Sequence, residues 1–294
     1  MRESPLSALK SRPSCHPDLW RISGESVTLA DPVVVGILNV TPDSFSDGGE
    51  LLTVDAAVQR GVQLVREGAG MLDVGGESTR PGAETVEVGE EIDRILPVIR
   101  ELAVRVPVPI SIDTRKAPVA EAALAAGAKV VNDVSGLSFD PVLADVVARH
   151  RAGVVLMHMR GTPKDMKDRT EYQDLVTDVV AELGVAVNRA EQSGISPESI
   201  VLDPGIGFAK TSVQNLELLG RVSAIRALGF PVLIGPSRKR FLGDLLNVPP
   251  KDRAVGTAAA CVVGYQGGAR LFRVHDVAAT VQALAVAHAA HSIP

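Results

Sequence analysis

Cysteines, aromatic residues and long apolar runs are scarce in this sequence of 294 residues. Its two cysteines, Cys15 and Cys261, are too few for a disulfide framework, and neither has the spacing of a metal ligand. No run of about 18 uncharged apolar residues is present, which argues against a membrane-spanning helix. The first residues include Glu3, Lys10 and Arg12, where a signal peptide needs an apolar core. We therefore expect a reducing, cytoplasmic location.

Positive charge is not in excess either, because 30 Lys and Arg residues stand against 35 Asp and Glu residues, for a formal net charge of −5. Nucleic-acid binding usually requires clustered positive charge, so we expect small-molecule substrates, with neither nucleic acid nor a membrane as partner. Aromatic residues make up only 3% of the chain, whereas hydrophobic residues make up 46%. The core is therefore predicted to consist mainly of Val, Ile, Leu and Ala, which suits parallel strands covered by helices.

The pattern that is present is a regular alternation of two kinds of segment from Val33 onward. Short branched apolar runs alternate with Ala- and Leu-rich segments of helical period. The predicted strands are 33–38, 71–74, 108–113, 129–133, 153–158, 199–203, 231–235 and 269–274. The predicted helices are 53–67, 90–104, 116–126, 141–150, 171–193, 213–228, 252–266 and 276–290. Eight βα units in about 260 residues predict an α/β fold of the (β/α)8 TIM-barrel type, with an open doubly wound sheet as the alternative.

The domain organisation follows from where this alternation begins. Residues 31–294 are predicted to be one catalytic (β/α)8 domain, since no second-domain boundary is visible. Residues 1–30 lack a sustained period and predict a short irregular N-terminal arm, poorly ordered or with a short strand near Val27 to Leu29. We expect the first 25 or so residues to be dispensable for folding and turnover.

Polar residues follow every predicted strand, at the barrel end where active sites of this fold lie. They are Asn39; Asp73 and Glu77; Asp113 and Thr114; Asn132 and Asp133; His158; Asp203; Ser237, Arg238 and Lys239; and Arg273 with His275. Any one of them is as well explained as a turn or capping residue. All eight groups on one rim predict a shared pocket for a polar heterocycle and an anion.

Two loops on this rim carry further signals for an anion. Residues 39–49 (NVTPDSFSDGG) form a long polar loop, and residues 77–83 (ESTRPGA) place Arg80 before a Pro-Gly turn. Arg80, Arg273 and His275 together have the donors to hold a diphosphate.

Two other motifs point to the heterocycle and its neighbours. Asp203 ends a strand, and the two parallel N–H groups of an amino-pyrimidinone edge match its two oxygens. Arg238 and Lys239 stand at a predicted helix start, where the macrodipole disfavours cations, so they indicate a bound anion or a ligand acceptor.

Metal and nucleophile signatures are weak. The six histidines lie far apart, so a zinc site is not predicted. Mg²⁺ bridging a substrate diphosphate and one protein oxygen is compatible with the sequence. No Ser-His-Asp or Cys-His arrangement is visible.

Taken in order, eight motifs give the chain a family resemblance. They are NVTPDSFSDGG, DVGGESTRPGA, SIDT, VNDVSG, LMHMRGTP, LDPGIGFAKT, GPSRKRF and RVHDV. From about Val33 to Val277 the chain resembles the dihydropteroate synthases. The resemblance implies a transferase of folate synthesis that joins 6-hydroxymethyl-7,8-dihydropterin diphosphate to p-aminobenzoate, with a dissociative loss of diphosphate. It also implies a homodimer and Mg²⁺ as cofactor.

The resemblance assigns site residues one by one. For the pterin it implies Asp113, Asn132, Asp203 and Lys239, with Arg273 stacked on the ring. For the diphosphate it implies Asn39, Arg80, Arg273 and His275, with Asn39 also the ligand of Mg²⁺. For p-aminobenzoate, and for sulfonamides, it implies Phe45, Thr79, Pro81, Phe208 and Ser237. The catalytic roles fall to Asp113, Lys239, Arg273 and Arg80.

Two rival functions share the pterin pocket. A pterin-dependent methyltransferase domain would not be expected to retain both STRPG and SRK. A pterin-binding protein without catalysis would be expected to have lost a loop motif. An assay with both substrates separates the three.

Overall fold

The computed structural model describes residues 18–41, 54–79 and 82–293, and eight of the ten strands in these ranges match the predicted apolar runs to within two residues at each end. In chain order the strands are β1 (Leu19–Ile22), β2 (Glu25–Thr28), β3 (Val33–Asn39), β4 (Met71–Gly75), β5 (Ile110–Asp113), β6 (Val130–Asp133), β7 (Gly153–Met157), β8 (Ile200–Asp203), β9 (Leu233–Ile234) and β10 (Leu271–Val274). Strands β3 to β10 form an eight-stranded parallel sheet, in the order β8-β7-β6-β5-β4-β3-β10-β9. A parallel bridge from Leu202 to Val232 joins β8 to the segment before β9. The sheet is therefore a closed TIM barrel, and the open-sheet alternative is wrong.

Helices cover the outer face of this barrel. They are α1 (Val54–Arg66), α2 (Val88–Arg105), α3 (Ala117–Ala125), α4 (Leu143–His150), α5 (Leu175–Gln192), α6 (Ser212–Gly220), α7 (Val222–Arg226), α8 (Arg240–Leu246), α9 (Ala254–Gln266) and α10 (Val277–His291). The predicted helix 213–228 is divided into α6 and α7 because Arg221 leaves the helical conformation, with φ −118° and ψ 22°. Within the described ranges, no helix is both long and apolar enough to cross a membrane.

The barrel strands are buried because both of their faces are covered. Outward-facing side chains pack on helices: a Cβ added to Gly61 of α1 would lie 2.7 Å from Leu102 of α2 and 3.3 Å from Leu38 of β3. Inward-facing side chains at the amino ends of the strands form an apolar layer across the barrel. This layer consists of Val35, Met71, Val130, Val155, Val201, Leu233 and Leu271. The polar groups are thereby confined to the opposite end.

An antiparallel hairpin of β1 and β2 closes the apolar end of the barrel. Trp20 and Ile22 are 1% and 2% exposed, and both belong to the same buried cluster as the inner apolar layer. The indole Nε1 of Trp20 donates a hydrogen bond to the carbonyl oxygen of Ser199, just before β8, at 2.9 Å. Residues 18–30 of the predicted arm therefore form an ordered floor for the barrel. This packing argues against the expectation that the first 25 residues are dispensable.

The contribution of this floor to stability can be measured through Trp20. Trp20→Phe removes the indole donor and leaves the buried Ser199 carbonyl without it, so we expect the free energy of unfolding to fall by about 1–3 kcal/mol. Urea denaturation measures the change. Leu19→Ala on the same strand is the control, because Leu19 is 43% exposed and should alter stability by no more than about 0.5 kcal/mol. Equal stability of Trp20→Phe and the parent would show that the bond from Trp20 to Ser199 does not stabilise the barrel.

Candidate active site

The inward-facing side chains are apolar at the amino ends of the barrel strands and polar at their carboxyl ends. Those that converge in the mouth are Asp73 on β4, Asp113 on β5, Asn132 on β6, Asp203 on β8 and Arg273 on β10. The carboxylates of Asp73, Asp113 and Asp203 are only 1%, 5% and 4% exposed. Because a buried charge is costly unless it is paired or hydrogen-bonded, the partners of these three groups indicate what the mouth can bind.

Arg273 fixes two of these carboxylates in place. Its Nε donates to Oδ2 of Asp73 at 2.5 Å, and its Nη2 donates to Oδ2 of Asp113 at 2.6 Å. The side-chain amide of Asn132 donates to the same oxygen of Asp73 at 3.0 Å. Although burial acts to lower it, the pKa of the Arg273 guanidinium is raised by Asp73 and Asp113. The guanidinium is therefore a permanent cation held in one plane.

Each of the three carboxylates keeps an oxygen for a ligand. Among the described residues, Oδ1 of Asp73 and Oδ1 of Asp113 are buried and have no hydrogen-bond partner. Oδ1 of Asp203 accepts the backbone N–H of Gly205 at 2.7 Å, which leaves Oδ2 available. Burial raises the pKa of Asp113 to about 7, against the attraction of Arg273, and raises that of Asp203 to about 6. These acceptors suit a ligand that brings several N–H groups into the barrel.

Lys239 reaches this site through the glycine-rich loop after β8. Its side chain crosses Gly207, where an added Cβ would lie 2.7 Å from Cδ of Lys239, and Gly207 also has a positive φ of 86°. Its Nζ lies 3.9 Å from the centre of the Phe208 ring. Burial, with Arg273 acting in the same direction, lowers the pKa of Lys239 to about 8. A glycine at 207 is thus required for the lysine to approach both the aromatic ring and the carboxylates.

Ser237 and His275 form one hydrogen-bonded unit, although the sequence assigns them to different ligands. Oγ of Ser237 accepts the backbone N–H of His275 at 3.1 Å and lies 3.0 Å from its Nδ1. Either the hydroxyl or Nδ1–H can donate in this contact, depending on the tautomer of the imidazole. The pair holds the imidazole of His275 in one orientation at the rim.

Asn39 and Thr79 lie at the rim, beside Asp113. A Cβ built on Gly75 would be 3.5 Å from Cβ of Asp113 and 3.9 Å from Oδ1 of Asn39, so these two side chains flank the same glycine. Thr79 lines a small cavity together with Asp113 and Arg115. Both residues are therefore within the neighbourhood of the mouth.

A buried charge cluster anchors the second loop below this rim. The Nζ atom of Lys116 donates to Oε2 of Glu77 at 2.6 Å, to Oε2 of Glu91 at 2.7 Å and to the carbonyl of Val86 at 2.5 Å. Glu77 in turn accepts the backbone N–H of Val86 at 2.9 Å and pairs with Arg115 at 3.1 Å. Glu77 and Val86 stand at the two ends of the segment that contains Thr79. We call Glu77, Glu91, Arg115 and Lys116 the clamp cluster.

Arg238 differs from the sequence expectation. Its Nε and Nη2 donate to the two carboxylate oxygens of Asp276 at 2.9 and 2.6 Å, and its backbone N–H donates to Thr257. The anion partner predicted for Arg238 is thus a carboxylate of the protein itself, 38 residues away along the chain. Within the SRK motif, Lys239 is the cation that reaches the mouth.

The structure brings together Asp113, Asn132, Asp203, Lys239, Arg273 and Phe208, with Asn39, Thr79, Ser237 and His275 around the rim. Arg80, Pro81 and Phe45 lie outside the described residues. Asp73 is absent from the predicted pterin residues although it binds both Arg273 and Asn132. The signal was present: Asp73 is a carboxylate inside an otherwise apolar strand, where only a specific partner justifies its burial.

Comparison with known proteins agrees with this geometry. A family model described as "Pterin binding enzyme" matches residues 35–275. The dihydropteroate synthase of Synechocystis sp. is 49% identical over 257 residues, which cover 87% of this chain and 89% of that protein. The dihydropteroate synthase of Escherichia coli K12 is 43% identical over 266 residues, 90% of this chain and 94% of that protein.

Solved structures agree as well. The dihydropteroate synthase of Xanthomonas albilineans with 4-aminobenzoic acid superposes with a TM-score of 0.89 at 46% identity, covering 95% of this chain and all (100%) of that one. The structure of the Xanthomonas albilineans enzyme in complex with 7,8-dihydropteroate gives a TM-score of 0.85 at 44% identity, over 94% of this chain and 100% of that one. This chain therefore belongs to the dihydropteroate synthase family of pterin-binding enzymes and is a transferase.

Proposed function

We propose that this protein condenses 6-hydroxymethyl-7,8-dihydropterin diphosphate with p-aminobenzoate, giving 7,8-dihydropteroate and diphosphate for folate synthesis. The observation that carries the proposal is that two buried carboxylates of the barrel mouth each keep an oxygen with no donor among the described residues, Oδ1 of Asp113 and Oδ2 of Asp203. An amino-pyrimidinone ring presents several N–H groups on one edge, and such donors would satisfy these acceptors. The relatives named above support the same reaction.

In this proposal the pterin ring lies in the mouth with one edge toward the carboxylates and one face on the guanidinium of Arg273. Asp203 and Asp113 accept its N–H groups, Asn132 and Lys239 bind its carbonyl and ring nitrogens, and the fixed guanidinium of Arg273 stacks on its face. The bonds of Arg273 to Asp73 and Asp113 hold the guanidinium plane before substrate arrives. Such preorganisation lowers the entropic cost of binding.

The proposed reaction is a dissociative substitution. The C–O bond to the diphosphate breaks first, its electron pair leaves with the oxygen, and the remaining cation is delocalised into the pterin ring. The neutral amine of p-aminobenzoate then forms the new C–N bond, and its extra proton passes to water. Asp113 favours the ring cation, while Arg80, Arg273 and His275 stabilise the departing anion, an effect that strengthens as water is excluded. The amine needs no strong general base in this sequence of steps.

The proposal includes a magnesium ion, with the side-chain oxygen of Asn39 as its protein ligand. Among residues 18–41, 54–79 and 82–293, no group of three His, Cys, Asp or Glu side chains is arranged to hold a metal. A half-buried amide oxygen at the end of β3 is nevertheless a suitable hard ligand, and Mg²⁺ commonly takes one or two protein oxygens plus substrate phosphates. Bound there, Mg²⁺ would neutralise charge on the diphosphate.

The p-aminobenzoate is proposed to bind beside the loops, against Phe208, Ser237 and Thr79, with Phe45 and Pro81 completing the pocket. Phe208 supports this placement because its ring lies at the mouth, with Nζ of Lys239 3.9 Å from the ring centre. Sulfonamides, which resemble p-aminobenzoate, should compete for the same pocket.

We further propose a cytoplasmic homodimer. The sequence has two cysteines, and Cys261 is a buried free thiol, which suits a reducing compartment. Helices α9 and α10 carry exposed apolar side chains, among them Val255 at 81% and Val286 at 72% exposed, which a second copy of the chain would cover.

A direct assay tests the reaction. The protein is incubated with the pterin diphosphate, p-aminobenzoate and Mg²⁺, and 7,8-dihydropteroate and diphosphate are measured. Formation of 7,8-dihydropteroate and diphosphate in equal amounts supports the proposal. Pterin binding without product would point to a non-catalytic pterin protein, and methyl transfer from a methylated pterin would point to the methyltransferase alternative.

The titration of Asp203 should make pterin affinity and stability respond to pH in opposite directions. Its folded pKa of about 6 lies above its unfolded value of about 3.9, so the folded state holds the proton more tightly. The free energy of unfolding should therefore fall as pH rises from about 4 to 6. Affinity for a bare pterin should rise over the same window, because only the carboxylate accepts the pterin N–H groups. Calorimetry from pH 4 to 8 measures the affinity. Asp203→Asn should make the rise below pH 6 shallower and leave the dependence that comes from Asp113, whose pKa burial raises to about 7. An unaltered acid limb in that variant would contradict the assignment.

A further inference from the structure

Lys210 is a buried cation behind the mouth that the proposed reaction does not use. Its side chain is 9% exposed, and its Nζ donates to the carbonyl oxygens of Phe208 at 2.9 Å and Gly205 at 3.1 Å. The third partner is Nδ1 of His158, at 3.0 Å. All three hydrogens of the ammonium are therefore engaged, and two of them hold backbone carbonyls of the loop after β8.

That loop has little regular backbone hydrogen bonding of its own. Gly205, Gly207 and Ala209 all have positive φ, at 71°, 86° and 49°, so the chain alternates in handedness and exposes its carbonyls inward. An added Cβ at Gly205 would lie 2.0 Å from the carbonyl oxygen of His158, so the loop is packed against the end of β7 without free space. A non-glycine residue such as Ala209 adopts this conformation only when its surroundings impose it. Tyr172 holds the carbonyl of Ala209, and Asn215 holds the N–H of Gly207. Lys210 constrains the carbonyls of Gly205 and Phe208 from inside the loop.

On the side that faces the mouth, the same loop contacts two residues of the site, Asp203 and Lys239. Gly205 donates its N–H to Oδ1 of Asp203, and so orients the carboxylate that accepts the pterin. Phe208 faces Nζ of Lys239. Gly205 therefore makes two bonds at once: its carbonyl accepts from Lys210, and its N–H donates to Asp203. A shift of Gly205 alters both bonds together.

His158 continues the chain of contacts away from the site. Burial lowers its pKa to about 4, so it is neutral, and its Nδ1 accepts from the ammonium of Lys210. Its Nε2–H therefore donates to Oε2 of Glu182, at 3.0 Å. Glu182 is bound in turn by Arg160. Burial lowers the pKa of Lys210 as well, while Asp203 and Glu182 counteract this.

We propose that Lys210 is a positioning residue for the pterin, acting through Asp203: its ammonium fixes the carbonyls of Gly205 and Phe208 and so sets the direction of the Asp203 carboxylate. The inference rests on the proposed function, since it takes the ligand of Asp203 to be the pterin. A positioning residue of this kind contributes to affinity only while the group that it positions is present.

The test is a double-mutant cycle on pterin affinity. Lys210→Met removes the donors, and we expect it to weaken the binding of 6-hydroxymethylpterin, measured by calorimetry, about tenfold. On an Asp203→Asn background the same substitution should change affinity by less than about twofold, because the amide NH2 group cannot accept a pterin N–H group in whatever direction the loop holds it. Affinity for inorganic diphosphate should be unchanged in Lys210→Met. A general loss of structure would instead lower the affinity for the pterin and for diphosphate alike.

Two variants complete the design. Lys210→Gln keeps an amide donor for the carbonyls, so it should lie between Lys210→Met and the parent, and it supplies the comparison should Lys210→Met not fold. Lys129→Met is the matched control, because Lys129 is 39% exposed and forms its ion pair with Glu25 near the floor of the barrel; it should bind the pterin as the parent does.

The outcomes separate the inference from the function beneath it. Folded Lys210 variants that bind the pterin within twofold of the parent would overturn the inference. So would equal losses on the parent background and on the Asp203→Asn background, which would mean that Lys210 acts independently of Asp203. A parent protein that does not bind the pterin would overturn the proposed function instead.

Discussion

Replacing Asp203 by alanine should weaken pterin binding by about thirtyfold to a thousandfold, or about 2–4 kcal/mol. The carboxylate is 4% exposed at the end of β8, and only Oδ1 is satisfied within the described chain, by Gly205. Alanine would leave two N–H groups of the buried pterin without an acceptor, and water has little access to replace it. Calorimetric titration of the folded variant with 6-hydroxymethylpterin measures the loss.

Asp133 offers a matched control for this experiment. It is also a buried carboxylate at the end of a barrel strand, but its oxygens accept from Ser135 and from the backbone N–H of Leu137, within its own loop. Asp133→Asn should therefore lower stability while leaving pterin affinity near the parent value. If Asp203→Ala bound the pterin within threefold of the parent, Asp203 would have to be removed from the pocket.

The barrel could be predicted from the sequence because each strand and helix has a local signal. Branched apolar runs such as 33–38 and 153–158 are buried on both faces, and that burial imposes a composition visible in a few consecutive residues. The hairpin of β1 and β2 was harder to predict, since each strand has only four residues and the burial of Trp20 depends on partners as distant as Ser199. Its role as a floor is a property of the closed barrel.

Site residues also divide into those with a local sequence signal and those whose role depends on distant partners. Asp113, Asn132 and Asp203 lie at strand ends, so the rule that places TIM-barrel sites there was sufficient to suggest them. The pairing of Arg238 with Asp276, which distinguishes it from Lys239, spans 38 residues and leaves no local pattern. Asp73 was placed on the rim by the same rule, but the family resemblance that assigned the pterin residues did not include it, and its partners Arg273 and Asn132 are 200 and 59 residues away along the chain.

The second large effect is expected on stability, when a residue of the clamp cluster is replaced. Lys116→Met should lower the free energy of unfolding by about 3–5 kcal/mol, the usual cost of removing one partner of a buried ion pair. Glu91 and Lys116 are 1% and 6% exposed, so water cannot replace the lost ammonium. Of the two carboxylates that it binds, Glu77 would retain Arg115, while Glu91 would keep the hydroxyl of Thr114. Urea denaturation measures the change.

A charge-balanced companion variant identifies the cause. Glu91→Gln combined with Lys116→Met removes the orphaned carboxylate, while the new amide oxygen can still accept from Thr114. This double variant should therefore be more stable than Lys116→Met alone by about 1–2 kcal/mol, although it has lost one more native charge. Arg105→Met is the exposed control: its pair with Glu101 is about half exposed on both sides, at 53% and 47%, and its loss should cost less than about 1 kcal/mol. A double variant no more stable than Lys116→Met would mean that the clamp cluster stabilises the second loop by packing, with charge pairing contributing little.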